Sequence, residues 1–268
     1  MNGSDNHGGS AEGAPEIEVR GLTMAFGPMV VMRDLSFAVR QREIFIIMGG
    51  SGCGKSTLLR HLIGLQEPAA GEIMYHRVNF TSADDETREA MMRGFGVLYQ
   101  SGALWSSMTL AENVGLPLAE FTDLSPLEIR EIACLKLALV GLKGFEDYYP
   151  NEISGGMQKR AGVARAIALD PAILFFDEPT AGLDPVNSRL LDDLILELRA
   201  SLGATVVVVT HELASIFTIG DNCIFLDSET HTIGAGGNPK EVLAHTNNPR
   251  ARGFLTRGDS GLARREHL

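Results

Sequence analysis

The sequence predicts an α/β protein whose central sheet is interrupted by a helical insert. Three features carry that expectation. Short β-branched or aliphatic runs alternate with helical patterns along most of the chain. Two of those runs, Ala172–Phe176 and Thr205–Val209, are continuously apolar, as strands covered on both faces must be. A glycine-rich turn joins a third such run to a helix.

Taken in order, Ile17–Arg20 and Leu35–Val39 read as strands, antiparallel because their connection is short. Glu43–Met48 is the next strand, and after the glycine turn the pattern over Lys55–Leu65 is helical, with Leu58, Leu59, Leu62 and Ile63 on one face. Gly71–Tyr75 and Gly96–Tyr99 are strands flanking the acidic segment Asp84–Arg93. From Thr109 to Gly156 the pattern is helical, clearest over Pro126–Leu139, which places the insert at about residues 101–165. A helix over Asn187–Ser201 separates the two apolar strands. Ile224–Leu226 and Thr232–Ile233 form a late hairpin, and Pro239–Ala244 a short helix. Residues 1–16 read as a flexible polar tail without the basic and apolar regions of a signal peptide, and 246–268 as a second tail.

Charge narrows the function. With 23 Lys and Arg against 34 Asp and Glu, the net charge of −11 argues against broad electrostatic binding to nucleic acid. Cys53, Cys134 and Cys223 form no metal-ligand pattern and suit a reducing compartment. The charge-free stretch Gly94–Ala111 is broken by glycine, glutamine and serine, so no segment is expected to cross a membrane, which takes about 20 mostly apolar residues.

Three elements carry chemistry. Gly49-Gly50-Ser51-Gly52-Cys53-Gly54-Lys55-Ser56-Thr57 fits the G-x-x-x-x-G-K-[ST] phosphate loop, between a strand and a helix. Its backbone N–H groups and helix start favour phosphate, Lys55 reaches the β- and γ-phosphates, and Ser56 offers a hydroxyl to Mg²⁺. The strand Ile173–Phe176 ends in Asp177 and Glu178, two carboxylates that are costly to bury without cationic partners. Asp177 suits Mg²⁺, and Glu178 a general base or an orienter of the attacking water. Ser154-Gly155-Gly156 opens a helical run over Gln158–Leu169 as a second anion-binding helix start.

In this order and spacing the three elements resemble the ATP-binding cassette ATPases, over about residues 17–245. The resemblance implies a P-loop NTPase fold: a RecA-like core, an antiparallel β subdomain and an inserted α-helical subdomain. It implies ATP and Mg²⁺ as cofactors and a head-to-tail homodimer, in which Ser154, Gly155 and Gly156 complete the partner's nucleotide site. By position, Gln100 matches the glutamine loop that couples Mg²⁺ to the helical subdomain. Ala181-Gly182-Leu183-Asp184 matches the loop at the dimer seam, His211 the switch histidine, and Phe26 the aromatic that stacks on adenine. Met157 stands where glutamine is commonest and Ala181 where serine is common. Cys53, close to a helix start, is a candidate for alkylation.

Gly96-Val97-Leu98-Tyr99-Gln100-Ser101-Gly102-Ala103-Leu104-Trp105 and Asn248–Leu255 are similar to the ATPases of the Mla/Mce (Ttg2-type) lipid transporters. That resemblance implies transport of phospholipids or related hydrophobic solutes, a membrane-spanning permease, a periplasmic Mce-domain protein, and a place on the cytoplasmic face of the inner membrane. Two other classes are open: a transport ATPase for an amino acid or organic solvent, and a soluble cassette ATPase acting on DNA or ribosomes. Trp105, the single tryptophan, is either an internal anchor or part of the groove that receives the permease. Phe254 and Leu255, in a tail carrying five arginines, suggest that Asn248–Leu255 docks across the dimer.

Overall fold

Two sheets share one apolar layer. The computed structural model describes residues 15–100 and 102–256, so most of both tails lies outside the described residues. Glu16, read as part of the first tail, is buried; its amide donates to the Val39 carbonyl at 2.8 Å.

The first sheet is antiparallel, in the order β2–β1–β4–β5, with β1 at Ile17–Phe26, β2 at Met29–Val39, β4 at Ala70–Tyr75 and β5 at Val78–Asn79. β1 and β2 are each longer than the sequence suggests. Gly21 and Asp34 sit at φ 57° and 53°, and the pairing shifts register beside them. Each looks like a strand end in the sequence but is an irregularity through which pairing continues.

The second sheet runs β10–β9–β3–β8–β7–β6, with β3 at Ile44–Gly49, β6 at Phe95–Leu98, β7 at Ile173–Asp177, β8 at Thr205–Val209, β9 at Asn222–Asp227 and β10 at Thr232–Gly237. Five strands are parallel and β10 closes one edge antiparallel. Alternate side chains serve two cores. Phe45, Ile47, Phe175, Val207 and Val209 meet the antiparallel sheet and α1 (Lys55–Leu62), while Ile46, Phe176 and Val208 meet the helices on the other face.

The insert is α3 (Leu110–Phe121), α4 (Pro126–Leu139) and α5 (Gly155–Ala166), preceded by α2 (Asp85–Arg93), which reads in the sequence only as an acidic segment. Thr109 and Ser125 start α3 and α4 with reciprocal capping boxes to Glu112 and Glu128. Asn113 is fully buried in α3; it accepts the Trp105 amide at 2.7 Å and donates to the carbonyls of Trp105, Met108 and Thr109. The loop is thereby fixed to α3 while Trp105 itself stays 62% exposed, which rules out the internal anchor.

α6 (Pro185–Leu202), α7 (Leu213–Ile219), α8 (Pro239–His245) and α9 (Pro249–Leu255) complete the helical face. α9 gives part of the second tail a place in the fold of its own chain. Ala251, Phe254 and Leu255 are buried within their own chain, Phe254 lying 5.6 Å from Phe225 between ring centres. Asp227 anchors this helix through Asn248 at 3.1 Å and Arg250 at 2.9 Å, and holds its own carboxyl below the usual range through those bonds despite its burial. The apolar residues proposed for a contact across the dimer are spent on packing inside one subunit.

Between α6 and α7, the Ser215 hydroxyl donates to Asp192 Oδ2 at 2.9 Å, while Oδ1 has no hydrogen-bond partner. Burial pushes the Asp192 carboxyl up to about 6. Because the folded form holds its proton more tightly than the unfolded chain, the ionised group costs stability above that pH, and the cost disappears as pH falls toward 4. A shift of this size corresponds to about 3 kcal/mol. Asp192→Asn is therefore expected to unfold at higher urea than the parent chain at pH 8 and to converge with it below pH 4. A constant gap between the two at both pH values would contradict this.

Candidate nucleotide site

The site stands where three parallel strands end together. β3 runs into the glycine turn, and Gly54, at φ 99°, begins α1 in a conformation open to glycine. A Cβ at Gly54 would also lie 2.8 Å from Val31 Cγ1, so the antiparallel sheet packs directly against the turn. Gly54 offers no side-chain cap, which leaves the first amides of α1 for an anion. Ser51 and Gly52 are exposed at the tip of the turn, with Thr57 half-buried in α1. Cys53 is buried and its thiol is pushed up by that burial, which opposes the reactivity expected from its place before the helix.

Lys55 is buried and donates to the carbonyls of Gly49 and Gly50, each at 3.1 Å. Its ammonium is also 3.7 Å from Glu178 Oε1. The Ser56 hydroxyl donates to Asp177 Oδ1 at 3.0 Å. Burial pushes the Asp177 carboxyl up, against the pull of that bond.

Glu178 is buried just beyond β7, at φ 49°, a region that residues other than glycine seldom occupy. Its amide donates to the Val209 carbonyl at 2.8 Å, which ties the ends of β7 and β8 together. His211, two residues beyond β8, donates from Nδ1 to both carboxylate oxygens of Glu178, at 2.8 and 2.9 Å. Lys55, Ser56, Asp177, Glu178 and His211 thus form one cluster.

A second group forms at two helix starts. Ser154 caps α5, accepting the Met157 amide at 3.3 Å, and Gly155 is exposed. Asp184 caps α6, accepting the amides of Val186 and Asn187 at 3.0 and 3.1 Å, and the Asn187 side chain holds its carboxyl low. A Cβ on Gly156 would lie 2.9 Å from Asn187 Oδ1, so the two starts touch and a larger residue there would have to push the Asn187 side chain aside. Met157, in place of the commoner glutamine, packs against the apolar core. Among the described residues, no hydrogen bond or ion pair joins Ser154, Gly155, Gly156 or Asp184 to the first cluster.

Phe26 ends β1, 46% exposed, on the sheet that packs against Gly54. Gln100 lies exposed in the turn after β6, its backbone carbonyl accepting the Lys159 ammonium. Sequence reasoning did not single out Lys159. The available signal was a lysine on a face of α5 otherwise made of Gly156, Val163 and Ala166, all buried.

For Mg²⁺, the test is the donor set. A carboxylate made costly by burial, beside a serine hydroxyl, fits a hard cation. No group of three His, Cys, Asp or Glu that could hold a metal occurs among the described residues.

Comparison with known proteins agrees with this geometry. The family model described as ABC transporter matches residues 32–181. The probable ribonucleotide transport ATP-binding protein mkl of Mycobacterium tuberculosis is 43% identical over 249 residues, 92% of this chain and 68% of that protein. The intermembrane phospholipid transport system ATP-binding protein MlaF of Escherichia coli is 37% identical over 239 residues, 89% of this chain and 88% of that protein. A dimeric ATP-binding cassette in a post-hydrolysis state, bound to ADP and Pi, superposes with a TM-score of 0.75 at 30% identity, covering 83% of this chain and 98% of that one. Strand ends that gather a phosphate loop, two carboxylates and a histidine therefore have a known setting: the chain belongs to the ATP-binding cassette transporter family, as an ATP-binding ATPase subunit.

Proposed function

We propose that this ATPase energises the movement of phospholipids or related hydrophobic solutes through a partner permease. The likeness to MlaF over 88% of that protein's length supports the substrate class, together with the Gln100–Trp105 run. A second reading, transport of another solute, draws on the name of the mycobacterial relative, which is given as a ribonucleotide transport protein. Identifying the solute moved by the chain reconstituted with its permease in vesicles, using labelled phospholipid and labelled nucleotide, separates the two.

The observation that carries the chemistry is the Glu178 carboxylate, held by His211 at 2.8 Å and standing 3.7 Å from the Lys55 ammonium. In this reading the phosphate loop, Gly49–Thr57, wraps the β- and γ-phosphates, with Lys55 exchanging its carbonyl partners for phosphate oxygens. Phe26 stacks on adenine. Ser56, Asp177 and the Gln100 side chain hold Mg²⁺, which when bound neutralises charge on the phosphates. Glu178 orients the attacking water or takes its proton, and His211 keeps that carboxylate aimed and meets the γ-phosphate. Ser154, Gly155, Gly156 and Asp184 serve the nucleotide of a second copy arranged head to tail.

No helix among the described residues is long and apolar enough to cross a membrane, so membrane work falls to a partner. A groove of about 580 Å³ lies between the β6 edge with α2 and the inserted helices, lined by Met92, Arg93, Pro117, Phe121 and Arg165 among others. It spans the core and the insert, as a surface receiving a cytoplasmic helix of the permease must. A Mce-domain protein beyond the membrane and a place on the cytoplasmic face of the inner membrane complete the reading.

Three outcomes are expected. Glu178→Gln should bind ATP and lose about 10²–10⁴-fold in turnover, whereas Lys55→Ala should lose ATP affinity itself; steady-state hydrolysis and equilibrium binding check both. Mixing inactive Lys55→Ala chains with inactive Ser154→Arg chains should restore part of the activity, since one composite site is then intact. Trp105, exposed in the loop after β6 but outside the lining of that groove, tests how far the contact extends: its emission should shift when the permease is added, and unchanged quencher access through complex formation would remove Trp105 from that contact.

A further inference from the structure

The least expected charge in the molecule is an ammonium inside the helical insert. Lys159 is 7% exposed, on the first turns of the helix that Ser154 caps. Burying a lysine there is costly, and a methionine or leucine would pack the same face without that cost. Its hydrogen bonds run to two backbone carbonyls, neither of them in its own helix. One is the carbonyl of Gln100, in the turn after β6; the other is that of Glu178, at 3.4 Å.

The Glu178 carbonyl is itself a junction. It also accepts the Ala181 amide at 3.2 Å, so the loop leading to Asp184 and the Lys159 side chain converge on one oxygen. Glu178 holds a left-handed backbone at φ 49°, a conformation that persists only where its surroundings impose it. Its polar contacts are the Val209 carbonyl on its amide, His211 and, at 3.7 Å, the Lys55 ammonium on its carboxylate, and Ala181 with Lys159 on its carbonyl. Removing one of them loosens the residue whose carboxylate must stand against the attacking water.

We propose that Lys159 is a positioning residue for hydrolysis. Its ammonium binds the carbonyls of Gln100 and Glu178 together and fixes both turns relative to the Ser154-Gly155-Gly156 helix start. Because the donor belongs to α5 and the acceptors to the ends of β6 and β7, a displacement of α5 is passed to both turns through one side chain. This role rests on the reading of Glu178 as base or orienter, and it concerns geometry within one subunit, separate from the contact that Ser154 makes with a second copy.

The test uses the full chain with its permease and compares Lys159→Met, which keeps length and loses the donors, with Lys159→Arg, which keeps the charge and donors. In the methionine variant kcat should fall about 10–100-fold, as a displaced catalytic group produces, with KM for ATP within about twofold and the thermal midpoint unchanged. The arginine variant should recover most of kcat. Should Lys159→Met fail to fold, Lys159→Gln is measured in the same way and is expected to show the same split. Parental kcat without the ammonium, a fall that arginine does not rescue, or a loss of kcat matched by a loss of thermal stability would each overturn the role. Glu178→Gln is measured alongside: if it hydrolyses at the parental rate, the reading of Glu178 fails; if it stalls while Lys159→Met does not, only the positioning role fails.

Discussion

Everything at this site depends on the register of three parallel strands. Val209 pairs with Asp177 on one side and with Ile47 on the other, so β8 is the ruler against which the phosphate loop and the two carboxylates are aligned. A slip of one residue would turn every side chain of a strand to the opposite core. Phe175 and Phe176 face different cores, so in β7 the slip is opposed less by that pair than by Asp177, whose carboxylate must stay with Ser56 at the strand end. The amide of Glu178 on the Val209 carbonyl then carries the same register one residue past the end of the sheet, to the first residue that needs it.

The architecture separates two requirements. The glycine turn is packed from below by the antiparallel sheet, through Met24, Met32 and Val31. α5 belongs to the helical face, and reaches the ends of β6 and β7 through the Lys159 side chain and the carbonyls of Gln100 and Glu178 rather than through a shared strand. The two groups of site residues thus belong to different layers of one chain.

Much of this was legible in the residues. The phosphate loop, the paired acids and the capped helix start declare themselves because each needs particular residue types at fixed spacing, and β8 emerges with the bounds its apolar run implies. Gly21 and Asp34 misled because a bulge and a strand end share the same local chemistry. α7 went unseen since it starts with neither a side-chain cap nor a proline, the signals that Asn238 and Pro239 give α8, and Phe254 and Leu255 could not reveal in sequence that Phe225 would be waiting for them. Trp105 was undecidable until the buried amide of Asn113 showed which part of that loop is anchored, namely its backbone. Lys159 was hidden by its acceptors, since backbone carbonyls leave no trace in the identity of the residues that carry them.

The loop after β6 has a mechanical consequence. Its backbone is gripped from Gln100 onward by the inserted helices: Gln100 by Lys159, Gly102 and Ala103 by Arg165 at 3.0 and 2.8 Å, and Trp105 by Asn113. Leu98, by contrast, is paired with Phe176 in the sheet. Tyr99 is therefore the one residue across which the hold passes from sheet to helices on this side of the insert. On its other side α5 runs on into β7, so the insert is moored to the core at two points rather than hung from one.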